Sequence, residues 1–121
     1  MELADYLSRY PVEVLAADDA GAVFDRYHTP DIVFTSDGVA LDRDRLIAHV
    51  RPARARVDGV SVTVEDVLAV DARVAARYVL TARMRRGSTI VTEITMFGEF
   101  ASDGRLSRVD QVTRDVSERA A

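Results

Sequence analysis

The sequence predicts an α+β fold: a curved antiparallel sheet with one face covered by three N-terminal helices. Two observations carry this expectation. Apolar residues recur at spacings of three and four through the first 27 residues, and the period changes to two in four long runs after residue 60 of the 121. A single domain over 1–121 follows from that length, with roughly two thirds of the unfolded chain's surface buried, enough for a core around one small cavity. Without cysteine there is no disulfide framework, no thiolate nucleophile and no Cys-rich zinc site.

Two helices are expected between residues 2 and 27, where Leu3, Tyr6, Leu7, Tyr10 and Val14 share one face. Pro11 lacks an amide proton and should interrupt the first helix or begin a new turn. Asp18 or Asp19 can cap the second, and His28-Thr29-Pro30 closes it. Residues 32–35 form a short β-branched run that ends at the Ser36-Asp37-Gly38 turn signal. Asp42 then caps a third helix bearing Leu46, Ile47 and Val50, which Pro52 should stop, leaving 53–59 as loop.

The four period-two runs cover residues 60–70, 73–84, 88–101 and 105–116, with short turns between them, as in an antiparallel meander. Gly87 in a left-handed position of a three-residue loop would pair Tyr78 with Ile94, Ala76 with Met96 and Ala82 with Ile90, so that apolar meets apolar. The opposite face would then pair Arg77 with Thr95 and Arg73 with Glu99. For the last hairpin, a two-residue turn at Asp103-Gly104 places Val109, Gln111 and Thr113 inward. A three-residue loop would instead turn Leu106, Arg108 and Asp110 inward, and composition leaves both open.

All 16 basic residues are arginine, and the chain contains neither lysine nor asparagine, a pattern that GC-rich coding explains. A net charge of −4 with dispersed basic residues argues against nucleic acid as a partner. No segment approaches the about 18 apolar residues of a membrane span, and residues 1–10 lack the pattern of a signal peptide, so a cytoplasmic location is expected. His28 and His49, 21 residues apart, show no metal-ligand spacing, and no metal or organic cofactor is expected.

The order helix, helix, short strand, helix, meander, with Tyr27-His28-Thr29-Pro30-Asp31-Ile32-Val33-Phe34 and Phe100-Ala101-Ser102-Asp103-Gly104-Arg105-Leu106, resembles the SnoaL-like and ketosteroid-isomerase-like branches of the nuclear transport factor 2 superfamily. The resemblance covers nearly the whole chain and implies the cystatin-like, nuclear transport factor 2-like cone, a hydrophobic small-molecule ligand and homodimers. The acids that such relatives use fall here on other residues. The base position lands on Ser36 with Asp37 beside it, the hydrogen-bonding aspartate on Met96, and the aspartate of the final strand on Gln111 with Asp110 beside it. The tyrosine of the first helix matches Tyr10.

Tyr78 is the leading pocket residue, being the only polar-tipped side chain on its apolar strand face; the competing reading is a core tyrosine bonded to backbone. Asp37 at the cavity mouth is a candidate base raised in pKa by desolvation, against an ordinary turn aspartate. Asp110 becomes the leading base if it turns inward, against a surface pair with Arg108. Tyr10, Phe34, Ser36, His49, Met96 and Gln111 are the candidate ligand-binding residues. His28 reads as a helix C-terminal residue favourable beside the dipole. On the outer sheet face, Arg73, Arg77, Arg83 and Arg85 with Val91, Phe97 and Glu99 read as a sheet-to-sheet homodimer interface. Two functions follow as expectations: a cofactor-free cyclase or isomerase acting on a hydrophobic, carbonyl-bearing, polyketide-like molecule, with Asp37 or Asp110 moving the proton, or a noncatalytic ligand-binding or partner domain. Asp110 inward favours the first, and Gln111 inward beside Met96 favours binding or templating without proton transfer.

Overall fold

A computed structural model describes residues 1–117. Helix α1 (Leu3–Ala16) and helix α2 (Ala20–Tyr27) lead into strand β1 (His28–Ser36), a short strand β2 (Val39–Leu41), helices α3 (Arg43–Ala48) and α4 (Val50–Arg56), and strands β3 (Val57–Val70), β4 (Arg73–Met84), β5 (Thr89–Phe100) and β6 (Leu106–Asp115). The strands form one sheet in the order β2-β1-β6-β5-β4-β3, antiparallel except where β1 runs parallel to β6. The helices and sheet are those of an α+β cone, with the core between them formed by Leu7, Phe24, Met96 and Leu106, each at most 1% exposed.

The period-two pattern on β4 and β5 places each residue as its alternation requires. Tyr78 pairs with Ile94, Ala76 with Met96, Ala82 with Ile90, Arg77 with Thr95 and Arg73 with Glu99. Gly87 has a positive φ of 93°, and Met84 donates its amide to Ser88 across the loop.

Several helical expectations are corrected. Pro11 lies inside a continuous α1, because Tyr6, Leu7 and Val14 on either side of it are buried on one face and hold the turn in place despite the missing amide. Pro52 does not end a helix. Helix α3 ends at Ala48, His49 caps both helices, and Pro52 is the third residue of the new helix α4, where an amide would have no intrahelical partner. Residues 57–59 therefore already belong to β3. The two aspartate caps hold, with Asp19 accepting from the Ala22 amide and Asp42 from the Arg45 amide. Asp37-Gly38, with φ of 50° and 81°, closes a two-residue hairpin onto β2, a strand too short to show a period.

The last hairpin combines both expected registers. Ser102, Asp103 and Gly104 form a three-residue loop, closed by the Ala101 amide donating to Arg105 and the Gly104 amide to Ala101. Phe100 then pairs with Leu106, but Glu99 pairs with Arg108, so Ser107 is an extra residue bulged out of β6. Leu106 and Val109 are consequently both buried, Gln111 pairs with Met96 on the inner face, and Asp110 faces outward beside Phe97.

The outer face reads in rows across the sheet: Asp66-Arg77-Thr95-Val112, Leu68-Ala75-Phe97-Asp110 and Val70-Arg73-Glu99-Arg108. Leu68 and Val70 are each 71% exposed and Phe97 64%. Val91 does not join this surface, since it is buried and its backbone bonds to Val116 and to the Ser117 hydroxyl. Arg85 also leaves it, lying in the hairpin loop with its amide donating to the Arg56 carbonyl.

Candidate functional site

Between the helices and the inner sheet face lies a cavity of about 270 Å³. Helical spacing puts Tyr6 and Tyr10 one turn apart on the inner face of α1, their rings stacked at 5.4 Å. Helix α2 contributes Phe24, and His28 follows at the junction with β1. The sheet contributes Tyr78, Ile94, Met96 and Gln111, and β1 adds Phe34. Among the described residues, no aspartate or glutamate lines this cavity.

The deepest polar group is His28, 1% exposed. Its Nδ1 lies 2.9 Å from the Phe24 carbonyl and its Nε2 lies 2.7 Å from the Tyr6 hydroxyl. A carbonyl only accepts, so Nδ1 carries the proton and Nε2 accepts from Tyr6. Burial pushes the imidazole pKa down to about 4, so the ring is neutral near pH 7. His28 does bind a carbonyl in the last turn of α2, that of Phe24, as its position at the helix end suggests, but as a neutral donor rather than as a cation beside a dipole. Phe24 stacks on it at 4.1 Å, and the Tyr10 ring meets it edge-on at 4.7 Å.

Three phenols face this apolar space. Burial raises Tyr6 well above the usual phenol range, with neighbouring tyrosines adding to the effect; burial also raises Tyr10, and it pushes Tyr78 up to about 12. All three therefore stay protonated as donors near neutral pH. Tyr6 uses its proton on His28, whereas neither the Tyr10 nor the Tyr78 hydroxyl has a hydrogen-bond partner among the described residues. Gln111 donates from Nε2 to the Ser36 hydroxyl at 3.1 Å, which fixes its amide at the cavity wall.

Of the residues expected from the sequence, Tyr10, Phe34, Tyr78, Met96 and Gln111 line the cavity, and Ser36 supports Gln111 from behind. The two candidate bases do not reach it. Asp37 sits at an exposed turn, where its carboxylate accepts from the Thr113 hydroxyl and amide; these bonds hold its pKa below the usual carboxylate range rather than above it. Asp110 lies on the outer face because the bulge at Ser107 sets the phase of β6. His49 lines a neighbouring hollow with Pro52, Ala53 and Met84, not the tyrosine cavity. Tyr6 and His28 were missed as site residues. The signal available in the sequence was the placement of Tyr6 one turn before Tyr10, but the partnership with His28 arises only when α2 packs across α1.

No helix among the described residues is long and apolar enough to cross a membrane. The family model of the SnoaL-like domain matches residues 8–109. No curated protein matches the chain. Among solved structures, an NTF2-like protein of unknown function from Exiguobacterium sp. 255-15 superposes with a TM-score of 0.75 at 14% identity, covering 95% of this chain and 100% of its own. AclR, provisionally a hydroxylase, from Streptomyces galilaeus gives 0.69 at 18% identity, with 92% of this chain and 80% of its own covered. A provisionally assigned SnoaL-like polyketide cyclase from Jannaschia sp. CCS1 gives 0.67 at 16% identity, with 92% and 81% covered. At these identities the likeness is one of fold.

Proposed function

The chain belongs to the SnoaL-like domain family of the nuclear transport factor 2 superfamily, and on that premise we propose that it binds a hydrophobic, carbonyl-bearing, polyketide-like molecule and promotes its isomerisation or cyclisation. The observation that supports this reading is the pair of phenols, Tyr10 and Tyr78, that have no partner among the described residues, in an apolar cavity that none of the described carboxylates lines. A substrate carbonyl oxygen bonded to both gains negative charge on enolisation, and fixed donors in a low-dielectric site stabilise that charge. Gln111 orients a second polar group of the ligand.

The proton moves through Tyr6 and His28. The substrate's α-carbon proton passes to the Tyr6 oxygen as the Tyr6 proton passes to His28 Nε2, leaving an enolate and an imidazolium of opposite charge. Return of the proton at another carbon completes an isomerisation. Attack of the enolate carbon on a second carbonyl, with the relay protonating the new alkoxide, completes a ring closure.

Exchange of the α-protons of a hydrophobic cyclic ketone against D2O, followed by NMR, tests this. The chain should accelerate exchange above buffer, Tyr6→Phe should remove the acceleration while binding persists, and Tyr10→Phe with Tyr78→Phe should weaken binding by about tenfold. Binding without acceleration would support a second reading, a noncatalytic ligand-binding domain, which the outward positions of Asp37 and Asp110 favour.

The outer face supports pairing of two copies. Its central row, Leu68-Ala75-Phe97-Asp110, is apolar for three residues and is flanked by rows carrying both charge signs, so the surface can complement itself about a two-fold axis. Phe97→Arg should convert a dimer to a monomer in analytical ultracentrifugation. A wild-type chain that sediments as a monomer at tens of micromolar sinks this reading.

A further inference from the structure

Next to the tyrosine cavity, a second hollow of about 340 Å³ opens between α4 and the end of the β4–β5 hairpin, walled by Pro52, Val57, Ala82, Met84 and Ile90. The two hollows share one sheet face. Ala82 pairs with Val60, a residue of the tyrosine cavity, and stands two residues beyond Leu80, another. A third hollow of about 370 Å³ shares Arg56, Met84 and Ile90 with the second and adds Arg85 and Arg86. The apolar inner face of β4 thus runs without interruption from Tyr78 through Leu80 and Ala82 to Met84, and ends among arginines.

The charge at that end opposes the charge of the chain. Residues 51–58 and 83–88 hold six arginines and a single acid, Asp58, in a chain of net charge −4. Arg54 is drawn to Asp18 at 3.8 Å, and Arg83 lies over Gly59. Arg56, Arg85 and Arg86 line the hollows and make no ion pair among the described residues. Guanidinium forks left without carboxylate partners beside an apolar wall suit a carboxylate or a phosphate carried on an apolar body.

We infer that the ligand of this protein is an extended amphiphile, with its carbonyl at Tyr10 and Tyr78 and an anionic terminus, carboxylate or phosphate, held by Arg56, Arg85 and Arg86. The inference rests on the cavity reading above and adds the far end of the ligand. Six residues of strand separate Tyr78 from Met84, about 20 Å, which sets the length of chain that can bridge the two ends.

Calorimetric titration of the full chain with dodecanoate, dodecyl phosphate and dodecanol at low salt tests it. Both anions should bind about tenfold or more tightly than the alcohol, and the difference should vanish in the variant R56Q/R85Q/R86Q while its affinity for dodecanol stays unchanged. A preference for dodecanoate but not dodecyl phosphate identifies a carboxylate terminus, and the reverse identifies a phosphate. Equal binding of all three, an anion preference that survives the triple variant, or no binding of either anion overturns the inference. Titration of the Tyr10→Phe, Tyr78→Phe double variant with dodecan-2-one separates the two ends: unchanged ketone affinity there, with the anion preference intact, would remove the cavity reading and leave the arginine rim.

Discussion

The Tyr6 hydroxyl donates to Nε2 of His28 across 2.7 Å, while Nδ1 of the same ring donates to the Phe24 carbonyl at 2.9 Å. Both imidazole nitrogens are thereby committed, and a second ring proton on Nε2 requires the Tyr6 hydroxyl to turn from donor to acceptor. This has a consequence for stability. The His28 pKa is lowered by burial from 6.5 to about 4. Between those values the unfolded chain binds a proton that the folded chain refuses, so stability falls as pH drops from about 6.5 to about 4, by about 3 kcal/mol in all. Asp25, Asp37, Asp103 and Asp115, held low by hydrogen bonds, lose their contributions only below that window. Urea melts from pH 7 to pH 4.5 should show the slope in the wild type and a much shallower one in His28→Phe. An equal slope in both places the proton elsewhere.

Removing a hydroxyl should have unequal effects at two of the tyrosines. Tyr78→Phe deletes a group with no partner among the described residues and should change stability by less than about 1 kcal/mol. Tyr6→Phe leaves His28 Nε2 buried without a donor and should cost about 1–3 kcal/mol. Thermal melts of the two variants measure the contrast; equal losses would mean that Tyr78 is bonded within the protein.

Replacing Asp37 and Asp110 together by Asn should leave ketone binding and α-proton exchange unchanged, since neither side chain reaches the cavity. A loss of exchange with binding preserved would restore a carboxylate base to the mechanism.

Gly98 stands on the inner face of β5, where a Cβ would lie 2.9 Å from the Met96 methyl and 3.0 Å from the Arg108 carbonyl oxygen. The methyl can swing away, but the carbonyl belongs to the β6 ladder and cannot. Gly98→Ala should cost about 1–3 kcal/mol in chemical denaturation, and a neutral result would show that β6 shifts freely.

The pairing of β4 with β5 was legible because the two faces of those strands differ sharply in polarity and Gly87 marks the loop. The phase of β6 was not, because Val109, Gln111 and Thr113 look no more like an inner face than Leu106, Arg108 and Asp110 do. A bulge took Leu106 from one set and Val109 and Gln111 from the other. Pro52 was misread for a different reason: a proline signals a missing donor, and whether that ends a helix or begins one depends on the break between helices at His49. His28 showed its chemistry least of all. Its position after a helix is visible in the sequence, but its depth is a property of how α1, α2 and the sheet close over it.

The extra residue at Ser107 also determines what kind of molecule the cavity can admit. Had β6 continued from Leu106 in strict alternation, the same residues would have turned Arg108 and Asp110 inward and Gln111 out. The cavity wall would then hold an ion pair in place of an amide. Polarity in this interior is thus written in the spacing of the chain rather than in its composition, and a relative with the same side chains but its kink one step away would line its cavity with charge where this protein lines it with neutral dipoles.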